Sequence, residues 1–420
     1  FKVCDCSCGS GAFLVKATEK ISKENNKSII STIEENIYGT DIMERSIERT
    51  KLILALLAFQ NGEDKEDIKF NIKAGDSLDD SKFNWNKEFP EVFEQGGFDG
   101  VVGNPPYVRI QDFTNEIKDF LTDKYKTVGK GNFNLYFAFF EKGLKILNNN
   151  GRLGYITPNN YFTSLSGKEL RQFLQNDKLI ERIIDFNHLR VFEDATTYTC
   201  ITCLNKKKND AFDFTKVENS EIFSKLDKLQ YASINFKDLK SDKWRLMNNI
   251  DFYNIKRIES VGIPLGEFAD IKVGIATLKD NIYFIDGLKE KDGFYIKNYN
   301  GKEYPIEKEI TRKVIKIASV DSDKEVEKDK RRIIFPYIQK GEKHFLIGEN
   351  DFKNKYPKAY SYLLDIKDEL ATRDKGKSKI SNWYAYGRGQ GLNFSGKKLL
   401  TKTFSNKPNF MLDADIYSLF

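Results

Sequence analysis

The sequence predicts an α/β fold: a Rossmann-like sheet of seven strands, followed by a C-terminal α+β domain. Three observations carry this reading. Short β-rich runs alternate with longer helical patterns through residues 1–204, the rhythm of a doubly wound parallel sheet. A glycine turn follows the first of those runs. The alternation then stops at Lys206-Lys207-Lys208-Asn209-Asp210, a polar run suited to a solvated turn.

Strands are predicted over residues 1–5, 37–41, 68–72, 98–103, 153–157, 180–186 and 199–204, each rich in β-branched or aromatic residues. Helices are predicted over 12–20, after the glycine turn, over 47–56 and over 135–147, where bulky apolar residues recur at helical spacing. Past residue 260 the pattern mixes short strands, such as 282–285 and 332–335, with one helix over 356–372. The expected domains are therefore 1–215, a connecting segment 216–259, and 260–420.

At 420 residues the chain has room for two cores. Residue 1 is Phe and the earliest methionine is Met43, so the sequence reads as a fragment that starts inside a strand. No apolar run approaches the ~18 to 20 residues that a membrane span requires, and a soluble, cytoplasmic monomer is expected. The formal net charge of +6 is unevenly spread. Residues 1–200 hold 26 basic against 30 acidic side chains, and the rest hold 42 against 32, so a polyanion partner is expected on the C-terminal half. Composition bias toward lysine would give the same numbers. Five cysteines with two histidines, His188 and His344, form no zinc-type spacing, so buried reduced thiols and no metal are expected.

Asp5-Cys-Ser-Cys-Gly9-Ser-Gly11 is a strand-to-helix glycine turn whose backbone can approach a ligand; by itself it says only a nucleotide-like cofactor. Asp41 closes the second strand, where a carboxylate can take both hydroxyls of a ribose. It lies 30 residues after Gly11, longer than the ~20 of a dinucleotide fingerprint, which weakens a nicotinamide cofactor. Asp76, with Ser77 after it, ends the next strand and could accept from an adenine amino group. Each acid could equally be a helix N-cap. Asn104-Pro105-Pro106-Tyr107 follows the strand over 98–103, and two prolines there fix a rigid turn because they cannot extend a ladder. It holds an amide, a carbonyl and an aromatic plane together, a set that suits a planar substrate bearing an amino group.

In that order these residues resemble the S-adenosylmethionine-dependent N6-adenine DNA methyltransferases, in the gamma arrangement of the TaqI-like family. Asn134-Leu-Tyr136, Gly151–Asn159 as Gly-Arg-Leu-Gly-Tyr-Ile-Thr-Pro-Asn, and Val191-Phe192 before the last strand are similar to later family motifs. The segments 266–277 and 383–388 resemble the TaqI-like C-terminal specificity domain. The resemblance assigns cofactor contact to Asp5, Gly9, Gly11, Asp41, Ile42, Asp76 and Ser77, and the reaction to Asn104, Pro105, Pro106, Tyr107 and Phe192. It implies S-adenosylmethionine as cofactor, double-stranded DNA as partner, and a restriction endonuclease, separate or fused, as associate. Arg331, Arg332, Lys340, Arg388, Lys397, Lys398 and Lys402 form the candidate DNA-binding group. Two departures stand out. Cys6 replaces the usual proline after Asp5, and the family's N-terminal helix and loop would precede Phe1.

The expected chemistry needs no strong base. Accepting both amino hydrogens at Asn104 and Pro105 localises the nitrogen lone pair more in the transition state than in the ground state. The base must leave the duplex, at a cost of a few kcal/mol, and Tyr107 and Phe192 would offset this by stacking. Two other classes remain open at this stage. Asn-Pro-Pro-Tyr also serves protein glutamine methylation, although a basic domain after the catalytic sheet argues against it. A DNA-recognition module on an inactive scaffold is the non-enzymatic alternative.

Overall fold

Residues that alternate in polarity along the first strands send their side chains to opposite sides of one sheet. Val3 and Ile37 enter one apolar cluster with Leu14, Ile33, Leu54 and Ile72. Their neighbours Cys4 and Tyr38 enter another with Phe98, Phe137, Phe140 and Tyr155. Period-two alternation with both faces buried is what a helix-covered parallel sheet requires. The computed structural model describes the chain except residues 130, 193–196, 222–225, 241, 248, 342, 374–381 and 406, and the side chain of residue 249. Two units result, Phe1–Gly262 and Ile263–Phe420.

In the first unit the strands are β1 (Val3–Asp5), β2 (Ile37–Asp41), β3 (Asn71–Ala74), β4 (Phe98–Gly103), β5 (Leu147–Pro158), β6 (Ile180–Asp185), β7 (Thr199–Asn205), β8 (Ala211–Lys216) and β9 (Ala232–Asn235). They join in the order β3-β2-β1-β4-β5-β7-β6-β8-β9. Strands β3 to β5 run parallel, and β7 is antiparallel to both its neighbours. Helices of this unit include α1 (Ala12–Asn25), α2 (Ile29–Asn36), α3 (Glu44–Gln60), α4 (Asn115–Lys124), α5 (Tyr136–Ile146) and α6 (Lys168–Asn176). From β1 the chain runs outward to β2 and β3, then returns to β4 on the other side. That reversal makes a crevice at the carboxyl ends of β1 and β4, where open α/β sheets hold ligands.

The seven predicted strands form, with shifts that pairing explains. The run expected over 68–72 becomes Asn71–Ala74, because its register against Tyr38–Asp41 starts at Asn71, whose amide donates to the Glu34 carbonyl at 2.8 Å. The run over 153–157 lengthens to Leu147–Pro158, paired on one side with β4 and on the other with β7. The segment 216–259, expected as a connection, also builds the first unit. It supplies β9, antiparallel to β8, and buries Phe236 and Trp244. The Trp244 amide donates to the Phe162 carbonyl at 2.7 Å and its indole to Gln175 at 3.3 Å. Arg171, fully buried on α6, donates to the carbonyls of Tyr161, Ser164 and Asp242, so the segment is tied down from two directions.

The second unit is α+β. A three-stranded sheet joins Phe284–Ile285, Arg332–Ile334 and Thr311–Lys313, and another joins Glu290–Lys291, Phe294–Tyr299 and Lys302–Ile306. Tyr337–Lys340 pairs with Lys343–Leu346, and Lys398–Thr401 with Phe410–Asp413. The single helix expected over 356–372 is two, Pro357–Asp365 and Lys367–Ala371, because Ile366 leaves helical geometry at φ −115°, ψ 19°. Tyr283, Tyr362, Tyr384 and Tyr386 dominate this core, and each phenol finds a carbonyl or amide partner. Among the described residues no helix is long and apolar enough to cross a membrane.

Because Trp244 is a large, buried side chain on an otherwise irregular segment, Trp244→Ala should destabilise the first unit by about 3 to 5 kcal/mol. The drop is to be read as a lower urea midpoint by tryptophan-independent circular dichroism.

Candidate active site

Three strand ends and one loop build the crevice. After Asp5 the chain turns through Gly9 and Gly11, both at positive φ (54° and 82°). At Gly11 a side chain would also collide with Thr50, whose Cγ2 lies 2.8 Å from where a Cβ would stand. The turn opens α1, and Thr50 on α3 holds it by donating to the Gly9 carbonyl at 3.0 Å. Asp41 clamps it from β2: one carboxylate oxygen accepts from the Gly9 amide and the other from the Met43 amide, both at 2.9 Å. An ionised carboxylate has about four acceptor sites, so each Asp41 oxygen keeps capacity for a ligand hydroxyl.

Asp5 sits deeper, 1% exposed, with one oxygen accepting from the Ser7 amide at 3.0 Å. Burial raises its pKa to about 7, against the Ser7 amide, which lowers it, and with the nearby Asp41 charge adding to the rise. Gly103, at the end of β4, passes directly against this carboxylate; a Cβ there would stand 2.6 Å from its oxygen, so only glycine fits. Asp76 accepts from the Leu78 amide at 3.1 Å. Ser77 lines the same space, but its hydroxyl is spent inside the protein, donating to the Cys6 carbonyl at 2.6 Å and meeting Thr40 at 2.6 Å.

The loop after β4 brings Asn104 into the crevice. Its side-chain oxygen is buried and has no hydrogen-bond partner. An acceptor left so costs about 1 to 3 kcal/mol unless a donor arrives. Pro105 is buried and Pro106 half-buried, fixing the turn. The Tyr107 hydroxyl donates to the Ile156 carbonyl at 3.1 Å, and its ring meets Tyr136 edge-on at 6.1 Å.

Asp41, Ile42, Asp76, Ser77, Asn104 and Pro106 all line one cavity of about 660 Å³. Asp5, Gly9, Gly11, Pro105 and Tyr107 are not among the residues that line it. The structure adds a wall that the motifs did not reveal: Phe113, Ile117, Phe120 and Leu121, from α4 and the turn before it, with Leu135 and Phe139. The spacing of Ile117, Phe120 and Leu121 on one face of α4 was the available signal, with Phe113 just ahead of the helix. Phe192 is not part of this lining; its side chain is 36% exposed, and residues 193–196 beside it lie outside the described ones. The thiols are structural: burial lifts Cys8 and Cys200 to about 12.

In the second unit the candidate basic group divides. Arg331 is paired with Asp286 at 2.8 Å and Asp329 at 2.9 Å, Lys398 with Asp413 at 3.5 Å, and Lys402 with Asp321 at 2.6 Å. Arg332 donates to Thr311 and lies over the Tyr295 ring. Only Lys340, Arg388 and Lys397 of that group are exposed without an ion pair among the described residues. Their neighbours in space, which the sequence does not display, decide the split.

Residues 35–192 match the Eco57I restriction-modification methylase family. The chain is 31% identical over 473 aligned positions, 98% of its length and 47% of the relative's, to the type II restriction enzyme and methyltransferase RM.Eco57I of Escherichia coli. The chain is thus similar to restriction-modification methylases, over residues 35–192 by the family and over nearly its whole length by RM.Eco57I. The type II methyltransferase M.BstVI of Geobacillus stearothermophilus is 24% identical to this chain, covering 91% of it and 69% of the relative. Among solved structures, the type IIL restriction-modification enzyme MmeI in complex with DNA superposes with a TM-score of 0.61 at 12% identity, over 100% of this chain and 55% of that one, and so shares the fold. The chain spans about half the length, 47% and 46%, of RM.Eco57I and of M.AccI of Acinetobacter calcoaceticus.

The buried Asp5 sets a pH dependence. Its folded pKa, about 7, stands above the ordinary 3.8, so the folded state holds the proton more tightly and stability falls as pH rises between those values. Asp5→Asn should therefore flatten the fall in thermal midpoint that the unaltered chain shows from about pH 5 to about pH 8. Gly11→Ala meets both positive φ and Thr50, and should lower the midpoint at every pH.

Proposed function

We propose that this methylase transfers a methyl group from S-adenosylmethionine to the N6 amino group of an adenine flipped out of duplex DNA, within a restriction-modification system. The observation that carries the reading is the unpartnered, buried Asn104 oxygen on the rigid turn after β4, beside a cavity that also holds Asp41 and Asp76. An acceptor without a donor, next to two acids and an apolar wall, fits an amino-bearing planar substrate and a cationic nucleoside.

When bound, S-adenosylmethionine supplies a methyl group on a sulfonium leaving group. Asp41 would take the ribose hydroxyls with the lone pairs not used by Gly9 and Met43, and Asp76 would accept from the adenine amino group of the cofactor. Ile42, Met43 and the α4 wall exclude water from its rings. Asp5 and the glycine turn hold the backbone against it rather than touching its base. The Asn104 oxygen and the Pro105 carbonyl would each accept one hydrogen of the target amino group, which sharpens its lone pair toward the methyl carbon. Tyr107, its hydroxyl anchored on Ile156, offers a fixed ring for the base, and Phe192 a second. The second unit would supply sequence choice and phosphate contacts, and a nuclease, fused or separate, would use the mark. RM.Eco57I, named as both restriction enzyme and methyltransferase, supports the fused form.

Labelled methyl transfer to duplex DNA tests the reading. Asn104→Ala should lower the turnover number by about a hundredfold or more while cofactor binding, followed by calorimetry, changes little. Transfer that survives the substitution would remove Asn104 from the reaction, and transfer to protein without DNA would redirect the activity to side-chain amides.

A further inference from the structure

Resting on the DNA-methylation reading, we infer that the β-hairpin formed by Tyr337–Lys340 and Lys343–Leu346 is the ribbon by which the second unit enters duplex DNA. Cross-strand pairing sets its two faces. Tyr337 opposes Leu346 and Gln339 opposes His344 on one face; Ile338 opposes Phe345 and Lys340 opposes Lys343 on the other. Tyr337 and Leu346 pack on the tyrosine-rich core, and the Tyr337 hydroxyl accepts from the Tyr386 amide at 2.7 Å. The opposite face is turned to solvent: Ile338 is 40% and Phe345 49% exposed, and both lysines are exposed.

Three features of this element favour a polyanion. Lys340 and Lys343 are like charges directly opposite each other, an arrangement that disfavours a hairpin standing alone, and neither has an ion pair among the described residues. Beneath the ribbon Arg312 lies over the Phe335 ring at 4.4 Å, partly buried and again without an ion pair among the described residues. Phe335 in turn meets His344 at 5.3 Å, and the His344 Nε2 is buried with no partner while Nδ1 and the backbone amide face Asn393. Elsewhere in the unit the contrast is plain, since Arg331, Lys398 and Lys402 already have carboxylate partners. A two-stranded ribbon fits the major groove. In that position Lys340 and Lys343 neutralise phosphates, and the Ile338–Phe345 pair lies against base edges and deoxyribose.

Binding of the full chain to a mixed-sequence duplex, followed by fluorescence anisotropy across a salt series, tests this. Lys340→Gln with Lys343→Gln should weaken binding about tenfold and lower the slope of log affinity against log salt by close to 2, since each phosphate contact contributes about 0.9. Phe345→Ala should weaken binding and leave the slope unchanged, because an apolar contact releases no counterion. Lys353→Gln with Lys355→Gln, the same charge change on the exposed helix Glu349–Lys355, should change neither by a comparable amount. An unaltered slope in the hairpin double variant, with its melting temperature intact, would overturn the assignment. So would an equal loss in the helix double variant. If the unaltered chain itself fails to bind duplex at low salt, it is the DNA-methylation reading that falls.

Discussion

Two hydroxyls and one carbonyl hold the carboxyl edge of the sheet together at the crevice. Thr40, at the end of β2, and Ser77, just past β3, lie 2.6 Å apart, and both reach the carbonyl of Cys6, just past β1. Thr40 is fully buried and Ser77 nearly so, which makes each bond hard to replace by water. With these ends fixed, Asp41 can reach the Gly9 amide, the glycine turn can open α1, and β4 can deliver Gly103 against Asp5. The cavity inherits its shape from that arrangement. Ser77, which motif reasoning gives to the cofactor, therefore serves the site by holding its frame.

The electrostatics of the two units follow opposite logic. In the first, carboxylates converge: Asp5, Asp41 and Asp76 stand around one crevice, and burial keeps Asp5 partly protonated near neutral pH. A cationic ligand beside it would stabilise the ionised form of Asp5. In the second unit several basic side chains are already paired, with Asp286, Asp329, Asp321 and Asp413. The gross count of Lys and Arg therefore overstates how many cations a partner can meet, and the ones left over carry the information.

Legibility of the fold varied with the origin of each element. Strands β2 and β4 were readable to the residue because Ile37–Asp41 and Phe98–Gly103 are apolar runs ended by turn chemistry. β9 was not, since Ala232–Asn235 has a half-exposed pattern that only pairing with β8 makes a strand. Helix α4 carries an amphipathic spacing, yet its role as a cavity wall depends on where the chain places it after the Asn104 turn.

By itself the sequence determined the alternating α/β order, the two-part organisation of charge, and the residue types at the crevice, because periodicity, glycine turns and a double proline act locally. The tertiary structure decided which of those residues line the cavity and which support it from behind. It decided that Trp244 belongs to the first unit and that Arg331, Lys398 and Lys402 are already paired. Those outcomes turn largely on partners far along the chain, such as Arg331 with Asp286 and Lys402 with Asp321, and no local pattern encodes a distance through space.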